Sequence, residues 1–184
     1  MRKLFAKAQD PISCETHALG AVAALGGGLL YLLRGVWTDA AIPAVAAALC
    51  FCLSMAALYA ASAIYHYYPG TAASGGVKRV LRKMDHSMIY VLIAGSYTPV
   101  CLSIIRGPIG IVILIIEWTM VLAGILLKAI AKKSYPKLSV TIYMIMGWCA
   151  VLFLPTLLAR ASVPFLVFIV LGGVMYTIGV IFYA

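Results

Sequence analysis

Charged residues cut this chain into six apolar runs, at about 14–34, 40–66, 86–105, 108–127, 138–159 and 162–184. A helix rises 1.5 Å per residue, so about 20 residues cross the roughly 30 Å hydrocarbon core of a bilayer. Each run is near that length. In hydrocarbon every backbone N–H and C=O must be paired within the protein, which leaves helices or closed barrels. The runs are too long for barrel strands and lack an alternating polar side. The expected fold is therefore all-α: a polytopic transmembrane helix bundle, with residues 1–184 forming a single transmembrane domain.

Composition agrees. The chain is 65% hydrophobic and 10% charged, with a mean hydropathy of +1.08, whereas soluble domains are about 45–50% apolar and about 25% charged. A soluble fold of this size could not hide the excess. The net charge of +9 sits in short clusters between the runs, with no long basic face to follow phosphates, so nucleic acid is excluded as a partner. The clusters set topology instead. Arg2, Lys3 and Lys7 precede the first run; Lys78, Arg79, Arg82 and Lys83 fill the second connector, and Lys128, Lys132, Lys133 and Lys137 the fourth. The other connectors hold only Arg34, Arg106 and Arg160. The positive-inside bias places the N-terminus in the cytoplasm.

The first residues, MRKLFAKAQD, are basic but lack an apolar core with a cleavage site, so the first run is expected to be a retained span. Cys14, Cys50, Cys52, Cys101 and Cys149 fit neither a zinc module nor a disulfide framework, and read as small packing residues. LGGGLLYLL in the first run and LGGVMYTIG in the sixth offer small residues for close helix approach. Pro99 and Pro155 are expected to kink their helices, while Pro164 suits a first turn. No internal repeat supports an inverted-repeat transporter.

The polar residues gather at one end. His17 opens the first span, His66 closes the second, and His86 opens the third beside Asp85. Ser62 and His66 are four residues apart and share a helix face; Asp10, Ser13 and His17 do the same by a three-then-four spacing. Asp85 and His86 point about 100° apart, so one of the two looks inward. Antiparallel packing brings Asp10, Ser13, His17, Ser62, His66 and Asp85 to one level. Such a set suits a metal and its water, the imidazoles donating nitrogen and a carboxylate orienting the water. A serine hydroxyl can donate to a developing oxyanion. The plainer reading is helix capping and contact with lipid head groups. Glu117 stands apart, near the middle of IGIVILIIEWTMVLAGI. A carboxyl there faces protein or a cavity, serving proton or substrate handling, or a hydrogen bond that ties two helices.

These residues carry a resemblance. LRKMDHSMIYVLIAGSYTPV, residues 81–100, resembles the third-span signature of the haemolysin III family, bacterial relatives of the adiponectin and progestin receptors in the PAQR superfamily. SAIYH, residues 62–66, is similar to that family's Ser-x-x-x-His, and MGWCAVLFLPTLL (146–158) and GGVMYTIGVIFYA (172–184) resemble its fifth and sixth spans. The family's Glu-x-x-Asn-x-x-x-His is replaced here by Asp10, Ser13 and His17. Similar proteins have a seventh span with His-x-x-x-His, which this chain stops short of; truncation of a longer protein, or loss of the metal, is the expected explanation. The resemblance implies a zinc ion held by His66 with those two histidines, His17 being a substitute ligand. It also implies Asp85 on the zinc-bound water and Ser62 beside it. The implied function is membrane or lipid homeostasis in the bacterial inner membrane, with a zinc-dependent lipid amide or ester hydrolase as the full-length form, an amphiphilic lipid as substrate, and a homo-oligomer as one way to complete the site. The alternatives are a non-enzymatic sensor of membrane state, and a transporter, channel or lytic pore.

Overall fold

A computed structural model describes residues 8–69, 75–130 and 135–183. Arg2, Lys3, Lys7, Lys132 and Lys133, which weigh in the charge count, lie outside the described residues, as does Ala184. The chain runs as α1 (Pro11–Trp37), α2 (Ile42–Tyr67), α3 (Gly75–Pro99) with a π-helical continuation Val100–Ile105, and α4 (Gly107–Ile130). It continues as α5 (Pro136–Trp148), a 3-10 turn Cys149–Phe153, α6 (Leu154–Arg160) and α7 (Val163–Tyr183). Six units of this series are long and apolar enough to cross a membrane, with α5 and α6 together making the fifth.

Sequence dictates the ends. Pro11, Pro43 and Pro136 stand in the first turns of α1, α2 and α5, where a missing N–H costs nothing. Pro164 likewise sits in the first turn of α7. The two internal prolines break the helices as expected, in different ways. After Pro99 the ladder loosens into the π-helical turns, which close when Arg106 adopts φ 54° and its N–H bonds the Cys101 carbonyl at 2.8 Å. Before Pro155 the chain tightens into the 3-10 turn, because the proline ring cannot accept the carbonyl four residues back. The broken ladder is repaired by a neighbour: the Tyr97 hydroxyl of α3 accepts the Ala150 N–H at 2.7 Å and donates to the Gly147 carbonyl at 3.0 Å.

Two expectations need correction. The third helix starts at Gly75, well before residue 86, because charged residues do not end a helix and Lys78–Lys83 simply extend it beyond the apolar part. The glycine runs are also not the main packing surfaces. A Cβ on Gly26, Gly27, Gly172, Gly173 or Gly179 would meet nothing within 4 Å. Within the runs only Gly28 makes a close approach, 3.1 Å from Cys52 Cβ; the tightest contacts are at isolated glycines, where a Cβ on Gly124 would stand 2.6 Å from the Tyr90 ring and one on Gly95 would collide with Ser54.

The interior centres on α3. Tyr90, Ile93, Ala94, Tyr97 and Cys101 pack against Ile113 and Val121 of α4, Tyr143 and Met146 of α5, and Leu157 of α6. On its other side α3 meets α2, and α2 meets α1. A polar thread crosses this layer, Cys50 Sγ at 3.8 Å and Trp118 Nε1 at 3.4 Å both donating to Thr98 Oγ1. The periphery is different in kind. None of the most apolar window of α7 is buried, and Leu30, Leu152 and Phe168 lie bare. Apolar exposure on that scale is stable in lipid and not in water.

Candidate functional site

The end of the bundle where α1 begins and α2 ends holds the polar cluster. Asp10 caps α1: Ser13 donates to it twice, from Oγ to Oδ2 at 2.7 Å and from its backbone N–H to Oδ1 at 3.3 Å. The spacing of three residues that looked helical is thus a capping arrangement, with the carboxylate turned back over the first turn. Asp10 also reaches across to α2. Its N–H bonds the His66 carbonyl at 3.2 Å, and its Oδ2 lies 3.5 Å from His66 Nδ1. The Ser13 hydroxyl, and after it the Ser13 N–H, hold the Asp10 carboxyl below its usual value; desolvation opposes them, and His66 and His17 add to the depression. His17 completes the group one turn further in, its ring centroid 5.6 Å from that of His66 and 5.8 Å from that of Tyr59. Its Nδ1 is buried and has no hydrogen-bond partner among the described residues.

Asp85 stands within electrostatic reach of His17 and Lys78. His86 Nδ1 lies 2.7 Å from the Arg82 carbonyl of its own helix, and its backbone carbonyl accepts the Tyr143 hydroxyl of α5 at 2.6 Å. The two side chains still approach to 3.9 Å. Ser62 is buried on α2, one turn before His66. Asp10, Ser13, His17 and His66 therefore meet, Asp85 stands within electrostatic reach, and His86 belongs to another interface. One participant escaped the sequence reading. Lys78, counted there only as a topology charge, donates to the Tyr65 and Tyr68 carbonyls and lies 4.1 Å above the Tyr65 ring. A cation just beyond a helix C-terminus is the signal that would have found it.

Among the described residues the donor set falls short of a zinc centre. A catalytic zinc takes three protein donors at about 2.0–2.3 Å. Here two imidazoles stand edge to face, and the nearest carboxylate is committed to Ser13 and His66. Among the described residues no three His, Cys, Asp or Glu side chains are placed to hold a metal ion. No chemical step is routed through zinc.

Glu117 is fully buried in α4 and remote in character from this cluster. The Cys149 thiol stands beside it as a donor, but a thiol donates weakly. Neither carboxyl oxygen has a hydrogen bond of ordinary geometry among the described residues. Tyr97, Cys101 and Tyr176 lie within electrostatic reach of it, and the buried Tyr176 hydroxyl is likewise unpartnered among the described residues. Among the described residues the one tie from Glu117 to a neighbouring segment is the weak thiol contact with Cys149.

Comparison with known proteins places this architecture. The Hemolysin-3 homolog of Bacillus subtilis (strain 168) is 38% identical over 133 residues, covering 72% of this chain and 61% of that protein. Hemolysin-3 of Bacillus cereus is 32% identical over 170 residues, covering 91% of this chain and 74% of the other. The chain thus spans less than two thirds of the Bacillus subtilis relative. No solved structure matches it. Residues 5–184 match the family described as haemolysin-III related, and with six apolar helices of spanning length the chain belongs to that family of multi-pass membrane proteins.

Proposed function

We propose that this protein is a non-enzymatic sensor of membrane state, residing in the bacterial cell membrane as its Bacillus relatives suggest. Its working part is the latch between α1 and α2. The observation that carries this reading is the double contact of Asp10 with His66, through backbone and side chain, at the edge of two otherwise apolar helices. Polar groups at that level exchange protein partners for water or head groups at small cost, so their pairing responds to where the interface lies. In buried positions the same groups would be locked. Hydrogen exchange of residues 10–17 in nanodiscs of short-chain and long-chain phosphatidylcholine tests it. The wild type is expected to exchange differently in the two, and Asp10→Asn and His66→Ala to exchange fast in both. Equal exchange of the wild type in both bilayers would sink the proposal.

The competing enzymatic reading, zinc-dependent hydrolysis of an amphiphilic lipid, rests on Ser62 one turn before His66 and on Asp85 within electrostatic reach of His17. It needs metal donors beyond those gathered here. Zinc-stimulated release of fatty acid by purified protein would establish it over the sensor. The haemolysin names of the relatives motivate one further assay: dye release from pure proteoliposomes, for which the sensor reading expects none.

A further inference from the structure

The middle of the bundle holds a carboxyl that the latch does not use. On the buried stripe of α4, Gly110, Glu117 and Gly124 follow one another at seven residues, two helical turns, and so share one face. That face is pressed on α3 at both sides of Glu117. A Cβ on Gly110 would stand 2.6 Å from the Cys101 carbonyl oxygen, and one on Gly124 2.6 Å from the Tyr90 ring. Trp118, the next residue, places its Nε1 3.4 Å from Thr98 Oγ1. Glu117 is thereby brought level with Tyr97, whose hydroxyl holds the Gly147 carbonyl and the Ala150 N–H. Cys149 of that same break contributes the thiol beside the carboxyl. A Cβ on Gly147 would stand 2.7 Å from the Tyr176 ring, so α7 closes the group.

Glu117 is fully buried, and neither its oxygens nor the Tyr176 hydroxyl has a regular hydrogen bond among the described residues. The titratable side chains that face it are Tyr97 from α3, Cys101 from the π-helical turns, Cys149 from the 3-10 turn and Tyr176 from α7. None of these can carry a positive charge, and residues 87–105, 107–127, 138–159 and 163–183 contain no Lys, Arg or His. A carboxylate at this depth is an uncompensated buried charge, far costlier than a neutral polar group. Both flanking helices lose their α-helical ladder near this level, as Val100–Ile105 and Cys149–Phe153, and π-helical turns recur at functional positions. We propose that Glu117 is a proton-binding site in the membrane interior, and that the docking of α7 depends on its proton. The proton is taken from water and bonds a carboxyl oxygen; no other bond is made or broken. The responding element is α7, because none of its most apolar window is buried and its tight approach to the fifth span is Tyr176 against Gly147. With the proton gone, a carboxylate stands beside that contact with no cation to balance it. The site is independent of the Asp10–His66 latch.

Infrared spectroscopy of the full chain in liposomes tests it. At neutral pH the wild type is expected to show the C=O band of a protonated carboxylic acid, and Glu117→Gln to lose it. Carbon-13 at the carboxyls of the two glutamates, Glu15 and Glu117, should move the band. Raising the pH should remove it reversibly. Amide exchange of residues 163–183 should then be faster in the wild type than in Glu117→Gln, whose neutral amide mimics the protonated acid. Sodium at constant pH should leave the band in place; displacement by sodium would make the occupant a metal cation and overturn the proposal. No acid band at neutral pH, or a band that Glu117→Gln retains, overturns it too. Equal exchange of α7 in the two proteins after the band has gone overturns the dependence of α7 on the proton. If Glu117→Gln does not fold, the carbon-13 label decides: a wild-type band that it does not move sinks the assignment to Glu117.

Discussion

Two acids, Asp10 and Glu117, sit at the centres of the two polar clusters, and their surroundings differ in nearly every respect. Asp10 is half exposed, accepts two hydrogen bonds from Ser13 and faces His66. Glu117 is fully buried, with Tyr97 of α3, Cys149 of the 3-10 turn and Tyr176 of α7 around it, and its oxygens have no regular partner among the described residues. Depth explains the contrast. At the interface a carboxylate is stabilised by short local contacts and water together. In the middle of a bundle every partner must come from another helix, and an imperfect fit costs the full desolvation of the group. The first acid therefore strengthens the structure that holds it, whereas the second is tolerated by that structure.

The strongest way to break the comparison is to disturb the packing that encloses the Glu117 side of the molecule. Gly124→Leu drives a side chain into the fully buried Tyr90 ring. It should destabilise the bundle by about 3 kcal/mol, at the upper end of overpacking costs, read as a fall in thermal midpoint in detergent. Gly172→Leu, with open space around it, should leave the midpoint unchanged. Next in size is Tyr97→Phe, which strips the Ala150 N–H and the Gly147 carbonyl of their partner beside the 3-10 turn. About 2 kcal/mol is expected for leaving buried groups unpaired, with faster hydrogen exchange confined to residues 147–153. Glu117→Leu should move the midpoint the other way, by about 1 kcal/mol, because an unpartnered polar group is exchanged for an apolar one of similar volume. A loss of stability in that variant would show that Glu117 has a partner after all, and the contrast with Asp10 would collapse.

How much of this was legible in the sequence follows the same division between local and distant causes. The six spans could be read because hydropathy sums over some twenty residues, and the breaks at Pro99 and Pro155 because proline acts on its own backbone. The early start of α3 could not, since lysines at a helix end look the same as lysines in a loop. The cluster was half legible. Asp10, Ser13 and His17 lie within two turns, so their spacing carried the information, although it marked a cap before it marked a face. The choice between Asp85 and His86 needed the position of α5, which no local pattern supplies. The same holds for Tyr97, Cys149 and Tyr176 around Glu117, which only tertiary packing brings together. The metal set was implied by resemblance alone; among the described residues His66 and His17 stand edge to face with no third donor placed beside them.

The smallest effect is also the most specific to Asp10. A carboxyl held below its ordinary value of 3.8 binds fewer protons folded than unfolded, so it adds stability at any pH above that value. The contribution is complete above about pH 5 and disappears as acid carries the pH down through the lower, native value. Ser13→Ala removes the chief cause of the depression, so the native value should rise towards 3.8 and the loss should begin at a higher pH. A carbon-13 titration of the Asp10 carboxyl in both proteins reads this directly, with hydrogen exchange of the first turn of α1 following the same curve. If the two proteins titrate alike, the hydroxyl of Ser13 does not hold the carboxylate. The depression would then come from the backbone cap and the two histidines, and the start of α1 would be fastened mainly by its contact with α2. That outcome would place more of the latch across the helix pair and less within one turn of it, and His66→Ala would become the variant that shifts the Asp10 titration most.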